Sequence, residues 1–257
     1  MSRIYLICAA ESEAEPYRIA QGHFDTGLTK RGLRQAEALE KRFADVPVDM
    51  VYSSDLYRAY TTANAISKAK GLTIFRRKDL REIFLGVWEG KPWGNIAYDK
   101  RREVERFRSA PGSWNIGGAE TPVEAAERLL SALREIAVQA DGQTVVVVSH
   151  SVVIQLALGV LGTFRCRRSA PYRLNSIPPC PSCPWRAVSF VCCPSRIPSI
   201  CPVRNTWPRS VPAGSLVLIL TCISSRCTGW NTAVSWPRQW NMSGRSPERI
   251  GLLTATA

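Results

Sequence analysis

The chain has 257 residues, 45% of them hydrophobic, and a formal net charge of +13; the apolar content is ample for a buried core. The charge is divided unevenly. Residues 1–162 carry 22 Lys+Arg against 20 Asp+Glu, whereas residues 163–257 carry the other +11 as twelve Arg and no Lys against the single acid Glu248. Only Cys8 falls in the first 162 residues, which excludes a disulfide scaffold there.

The basic tail does not read as a nucleic-acid surface: its Arg residues stand mostly singly among Pro, Ser, Cys and Trp, with no basic helix face. Its longest apolar run, Leu216 to Ile223, is interrupted by Thr221 and is far shorter than the ~20 residues of a spanning helix. The N-terminus opens directly on a strand without the pattern of a secretion leader. The expectation is a cytoplasmic protein with no membrane partner.

In chain order, Arg3 to Ile7 reads as a short buried strand. A helix begins at Thr29-Lys30, with Leu33, Ala36, Leu39 and Ala44 near helical spacing. Val48 to Tyr52 is a second strand, and Asp55 to Lys70 a second helix with Leu56, Ala59, Ala63 and Ile66 on one side. Gly71 stands where a C-terminal stop belongs. Thr73 to Phe75 forms a third strand.

Residues 80–118 hold three Trp and a charged helix near Tyr98 to Arg108, and look like an insertion across one end of a sheet. Thr121 then caps a long helix to about Ala140, with Pro122 at its first position. Thr144 to Val148 is a β-branched run suited to a central strand covered on both faces, followed by a helix from Ser151 to Leu161. This alternation predicts an α/β fold, a three-layer α/β/α sandwich on a mainly parallel sheet. Ligands bind beyond the C-terminal strand ends of such sheets, here Cys8-Ala9-Ala10, Ser53-Ser54-Asp55 and Ser149-His150.

Those strand ends bring Arg58, Glu82 and His150 toward one pocket. The trio suits a phosphate monoester: Arg forks onto phosphate oxygens, His donates a charge-assisted hydrogen bond, and Glu protonates a leaving oxygen. The amides starting the helices after strands 2 and 4 would add to an anion site. Each residue also has an ordinary structural reading: His150 as part of a helix cap, Arg58 as a solvated helix residue, Glu82 as a surface partner of Arg81 or Arg76.

The ordered text decides for the first reading. Ile4-Tyr5-Leu6-Ile7, Glu11-Ser12-Glu13, Gln21-Gly22-His23-Phe24-Asp25, Leu28-Thr29, Ser53-Ser54-Asp55-Leu56, Arg58-Ala59, Leu80-Arg81-Glu82-Ile83, Gly86-Val87-Trp88-Glu89-Gly90, Gly117 to Thr121 and Val147-Val148-Ser149-His150 resemble the histidine phosphatase superfamily. This is the phosphoglycerate mutase-like fold, here in its small broad-specificity phosphatase branch. The resemblance covers about residues 3 to 162.

It implies hydrolysis of a small phosphorylated metabolite through a phosphohistidine, without metal or organic cofactor. Arg58 would bind phosphate, His150 stabilise the transferring group and Glu82 donate the proton, while Ser12, Gln21 and Gly22 line the substrate side. It also implies an attacking His preceded by an Arg. Those two positions are Ala9 and Cys8, and a methyl group cannot form a covalent intermediate. Cys8 itself stands one residue off, where side chains take a different direction. The chain is therefore expected to be inactive or severely impaired, with a non-catalytic binder of phosphorylated ligands as the alternative. His23 reads as an ordinary loop histidine, and Glu15 stands where the family usually has Asn.

Beyond residue 162 the resemblance fades, apart from a faint trace at Tyr172-Arg173-Leu174-Asn175. Domain 1–162, with 177 as an outer bound, is followed by an irregular Arg/Pro/Cys/Ser/Trp-rich tail over 163–257. Its composition resembles a GC-rich gene read out of frame from about 163–177. A zinc module on Cys180, Cys183, Cys192, Cys193 and Cys201 is the competing reading, but a single CxxC without a second pair and a tail without His argue against it.

Overall fold

The computed structural model describes residues 3–160 and three later segments, 187–191, 217–221 and 231–235. Four parallel strands form the centre: β1 (Arg3–Cys8), β2 (Met50–Ser54), β3 (Ile74–Arg77) and β4 (Thr144–Ser149). They alternate with α1 (Lys30–Phe43), α2 (Tyr57–Lys70), α3 (Trp93–Asp99), α4 (Arg101–Ser109), α5 (Pro122–Gln139) and α6 (Ser151–Val160). Three strands follow: β5 (Ala187–Val191), β6 (Val217–Thr221) and β7 (Asn231–Ser235). The main sheet runs in the order β3-β2-β4-β1-β6, while β5 and β7 pair antiparallel.

Period-two burial sorts the strand side chains into the two expected faces. Ile7, Val51, Val146 and Val148 pack with Leu39 and Phe43 of α1 and Ala59, Ala63 and Ile66 of α2. Ile4, Leu6, Val145 and Val147 face the other way, toward Leu129, Leu133 and Ile136 of α5 and Val153 and Leu156 of α6. The result is the three-layer α/β/α sandwich, and every residue of β4 is buried, as its central place between β1 and β2 requires.

Local chemistry sets the helix ends. Thr121 and Glu124 form a reciprocal capping box with Pro122 in the first turn of α5, and α2 stops at Gly71, whose φ of 64° is left-handed. Three details depart from the sequence reading. Leu33 is 47% exposed, and Phe43 with Gln35 completes the buried stripe of α1 in its place. Ala44 lies just past that helix. The charged helix of the insertion is α4, and a further short helix, α3, precedes it, the two separated at Lys100. Trp88, Trp93, Phe107 and Trp114 hold the insertion together, with ring centroids 4.9 to 6.2 Å apart.

The irregularity read for 163–257 does not extend to β5, β6 and β7. For β6 the physical reason is plain: Val217 to Thr221 is an apolar, partly β-branched run, and it pairs parallel along the outer edge of β1 from Arg3↔Val217 to Ile7↔Thr221. Tyr172 to Asn175 and Cys180, Cys183, Cys192, Cys193 and Cys201 lie outside the described residues.

Candidate active site

The register Cys8↔Ser149 carries Ala9 to the level of His150, and the Ala9 amide donates to the Ser149 carbonyl at 2.9 Å. Ala9 is 8% exposed and packs on the α2 side of the sheet. Cys8 belongs to the opposite core cluster, so its thiol faces away from the position that an attacking group would occupy. The Ala10 amide donates to Thr62 Oγ1 at 2.9 Å, which ties this strand end to α2.

Arg58, the second residue of α2, is 5% exposed. Its Nη2 donates to the Gly22 carbonyl at 2.7 Å, and its Nη1 to the Phe24 carbonyl at 3.0 Å and to Asp25 Oδ1 at 2.9 Å. The other Asp25 oxygen accepts from the Tyr57 amide at the start of α2. An internal carboxylate thus takes one guanidinium N–H and the helix start that the sequence reading assigned to an anion.

The start of α6 is occupied in the same way. Glu82 is 7% exposed, and its Oε1 accepts from the Ile83 and Val153 amides at 3.0 and 2.7 Å while Oε2 accepts from Val152 at 3.0 Å. Burial pushes its carboxyl above the usual range, against the pull of those three amides and of Arg58. Oε1 has both lone pairs engaged, so Oε2 is the oxygen left to carry a transferable proton. The surface reading of Glu82 is excluded by its burial.

His150 is 2% exposed, and its Nε2 is buried without a hydrogen-bond partner. Burial holds its pKa well below 6.5, and the neighbouring cation Arg58 lowers it further, followed by smaller contributions from His23, Arg128 and Arg81. A neutral imidazole with an unpaired polar atom is costly to bury. It is the one member of the trio whose polar tip the protein leaves unsatisfied.

On the substrate side, Gln21 Nε2 donates to the buried Ser12 Oγ at 2.5 Å, while Gln21 Oε1 is buried without a partner. Gly22 has a φ of +39°, and a Cβ there would come within 2.1 Å of Glu89 Oε1. That crowding reveals a residue given no role in the sequence reading. Glu89 accepts from the amides of His23, Phe24 and Leu85 at 2.7, 2.6 and 3.0 Å and so pins the 22–24 loop over Arg58. His23 is more than a loop residue: its Nε2 donates to the Glu82 carbonyl at 3.0 Å, its ring lies 5.0 Å from Phe84, and burial lowers its pKa. Asp25 and Glu89 both stood in the matching text, but a carboxylate serving amides 65 residues away has no periodic signature. Among the described residues no cluster of His, Cys, Asp or Glu is placed to hold a metal ion, and no helix is long and apolar enough to cross a membrane.

The model of the histidine phosphatase superfamily (branch 1) matches residues 4–173. Phosphoserine phosphatase 1 of Hydrogenobacter thermophilus is 33% identical over 152 residues, 59% of this chain and 72% of that protein. A probable phosphoglycerate mutase of Yersinia pestis is 29% identical over 161 residues, 63% of this chain and 75% of its own length. Among solved structures, Bacillus stearothermophilus YhfR superposes with a TM-score of 0.62 at 28% identity, over 69% of this chain and 86% of its own. A mycobacterial glucosyl-3-phosphoglycerate phosphatase complexed with VO3 does so with a TM-score of 0.56 at 27% identity, over 62% and 80%.

Proposed function

The chain belongs to the histidine phosphatase superfamily, and from that membership we propose that its ancestral reaction is hydrolysis of small phosphate monoesters through a phosphohistidine, a reaction in which this chain is inactive or severely impaired. The observation that carries the reading is Ala9, set at the level of His150 and beside α2. In the ancestral reaction an imidazole at that position attacks phosphorus, Arg58 and His150 hold the equatorial oxygens, and Glu82 protonates the leaving oxygen from Oε2. Ala9 has no lone pair to begin that sequence, and Cys8 contributes a thiol to the core in place of a second guanidinium. The names of the relatives support small phosphorylated compounds as the ligand class, and the same reading keeps the protein in the cytoplasm with Cys8 reduced.

The test compares the unaltered chain with a Cys8→Arg, Ala9→His double variant on an aryl phosphate in the presence of chelator. Groups that act as a unit do not replace one another, so the double variant is expected to be faster by roughly 10³-fold or more. Equal rates in two folded proteins would sink the reading.

One observation favours the second reading, a non-catalytic phosphate-ester binder: the unpartnered, buried Nε2 of His150, with Gln21 Oε1 in the same condition. Saturable binding of inorganic phosphate without turnover, lost in His150→Ala, selects it; absence of binding leaves the decayed hydrolase.

A further inference from the structure

The segment from Lys78 to Phe84 works on two sides. Glu82 gives its carboxylate to the start of α6, but its carbonyl oxygen accepts from His23 Nε2 at 3.0 Å and from Arg128 Nη2 at 3.3 Å. On this second side Lys78, Arg81 and Phe84, three residues apart in turn, line an open cleft with His23, Glu120 and Arg128. Its volume is about 610 Å³, within the range of small-molecule sites. Arg58, Glu82 and His150 supply none of its named side-chain walls.

The polar groups of the cleft are not equally committed. Arg128 is fully engaged: Nε and Nη2 reach the Glu120 carboxylate at 2.7 and 2.8 Å, and Nη1 reaches the Asp79 and Arg81 carbonyls at 2.8 and 3.0 Å. Arg81 gives Nε and Nη2 to Asp55, each at 2.6 Å, and keeps Nη1 unbonded among the described residues. Lys78 makes no ion pair among the described residues. His23, with Nε2 donating to a carbonyl, offers Nδ1 as an acceptor. Phe84 supplies a ring face beside it, tilted 45° to the imidazole.

We propose that this cleft binds a small organic anion, with its anionic oxygens on Lys78 and Arg81 Nη1 and a flat apolar ring against Phe84. A compact ammonium beside a spare guanidinium donor selects an anionic group, and the adjoining ring rewards a planar body over a bare ion. The occupant is therefore an aromatic carboxylate or aryl phosphate, recognised apart from Arg58, Glu82 and His150 and independently of any turnover there.

The chain contains two histidines, His23 and His150, one beside each site, which makes the test site-resolved. Benzoate is titrated into the full-length protein while the two imidazole proton resonances are followed, assigned with His23→Gln and His150→Gln. Benzoate is expected to shift His23 saturably and leave His150 in place. Lys78→Ala should weaken that binding roughly tenfold, as loss of one charge-assisted contact does, and Lys78→Arg should restore most of it. Inorganic phosphate moving His150 without His23 would support two separate sites. A His23 signal indifferent to benzoate, an unchanged affinity in Lys78→Ala, or one dissociation constant shared by both histidines would each overturn the proposal. None of these outcomes depends on the double variant at positions 8 and 9, so the two readings fail separately.

Discussion

At the scale of single residues, the buried His150 makes the fold sensitive to mild acid. Its pKa in the folded chain lies well below 6.5 because burial disfavours the cation, while the unfolded chain takes up the proton near 6.5. The unfolded state therefore binds more protons as pH falls through 6.5, and stability is lost in that window by up to about 1.4 kcal/mol per pH unit from this group. His23, also lowered by burial, acts in the same direction. Glu82, raised by burial, acts oppositely and nearer its ordinary pKa, since the folded state holds its proton to higher pH than the unfolded chain. The expected outcome is a denaturation midpoint that drops between about pH 7.5 and about pH 5.5, with a smaller drop in His150→Gln. An equal drop in both proteins would refute the assignment. Arg58, Glu82 and His150 could be read as a group from their fixed order along the chain, His150 being one of only two histidines. Asp25 and Glu89 could not, because Asp25 accepts from Arg58 and the start of α2 and Glu89 from loop amides, and side-chain identity alone does not say which donor a carboxylate will meet.

Among the elements, β4 and α5 were the most readable, one from an unbroken β-branched run and the other from Thr121, Pro122 and Glu124 at its start. The insertion was the least. Lys100, with φ −134° and ψ 46°, separates the charged helix α4 from the short helix α3, which the sequence reading did not include. What fixes that region is tertiary: Phe107 stacks on Trp93 at 5.8 Å and meets Trp114 edge-on at 4.9 Å. Phe107→Ala removes the ring shared by α4 and the tryptophans, and its expected cost is about 3–5 kcal/mol from lost burial and the cavity left behind. Near-UV circular dichroism should lose tryptophan signal in the same variant, while far-UV intensity from α1, α2, α5 and α6 stays close to that of the unaltered protein. A cost below about 1 kcal/mol would show that the aromatic cluster is dispensable.

Over the whole molecule, charge and composition change together near the end of α6. The match to the family reaches residue 173, and beyond it acids fall to Glu248 while Arg, Pro and Cys accumulate. We infer a shift of reading frame at about codons 163–177 as the origin of that change. Sequencing genomic DNA across those codons is expected to show a frame that restores acidic residues downstream; a single continuous frame with this composition in the organism would overturn the inference. The break also has a structural meaning. β1 would present an open edge without β6, and open edges template association; the apolar run Val217 to Thr221 covers it. Strand alternation in 1–162 made the α/β architecture readable, whereas the pairing of β6 depends on a vacancy at the sheet edge that no local pattern encodes.

The carboxylates of Asp25 and Glu82, lodged at the starts of α2 and α6, make anion binding at those two helix starts an exchange reaction. Arg58 keeps Nε and one Nη2 hydrogen for a ligand while Asp25 stays bound, whereas a phosphate that used the Tyr57, Val152 or Val153 amides would first have to displace a carboxylate, which lowers its apparent affinity by the fraction of molecules in which that contact is open. It also follows that occupancy will raise the melting temperature less than the number of available donors suggests, because the ligand replaces bonds already made. Direct calorimetry, which reads the heat of exchange itself, is the measurement suited to such a pocket.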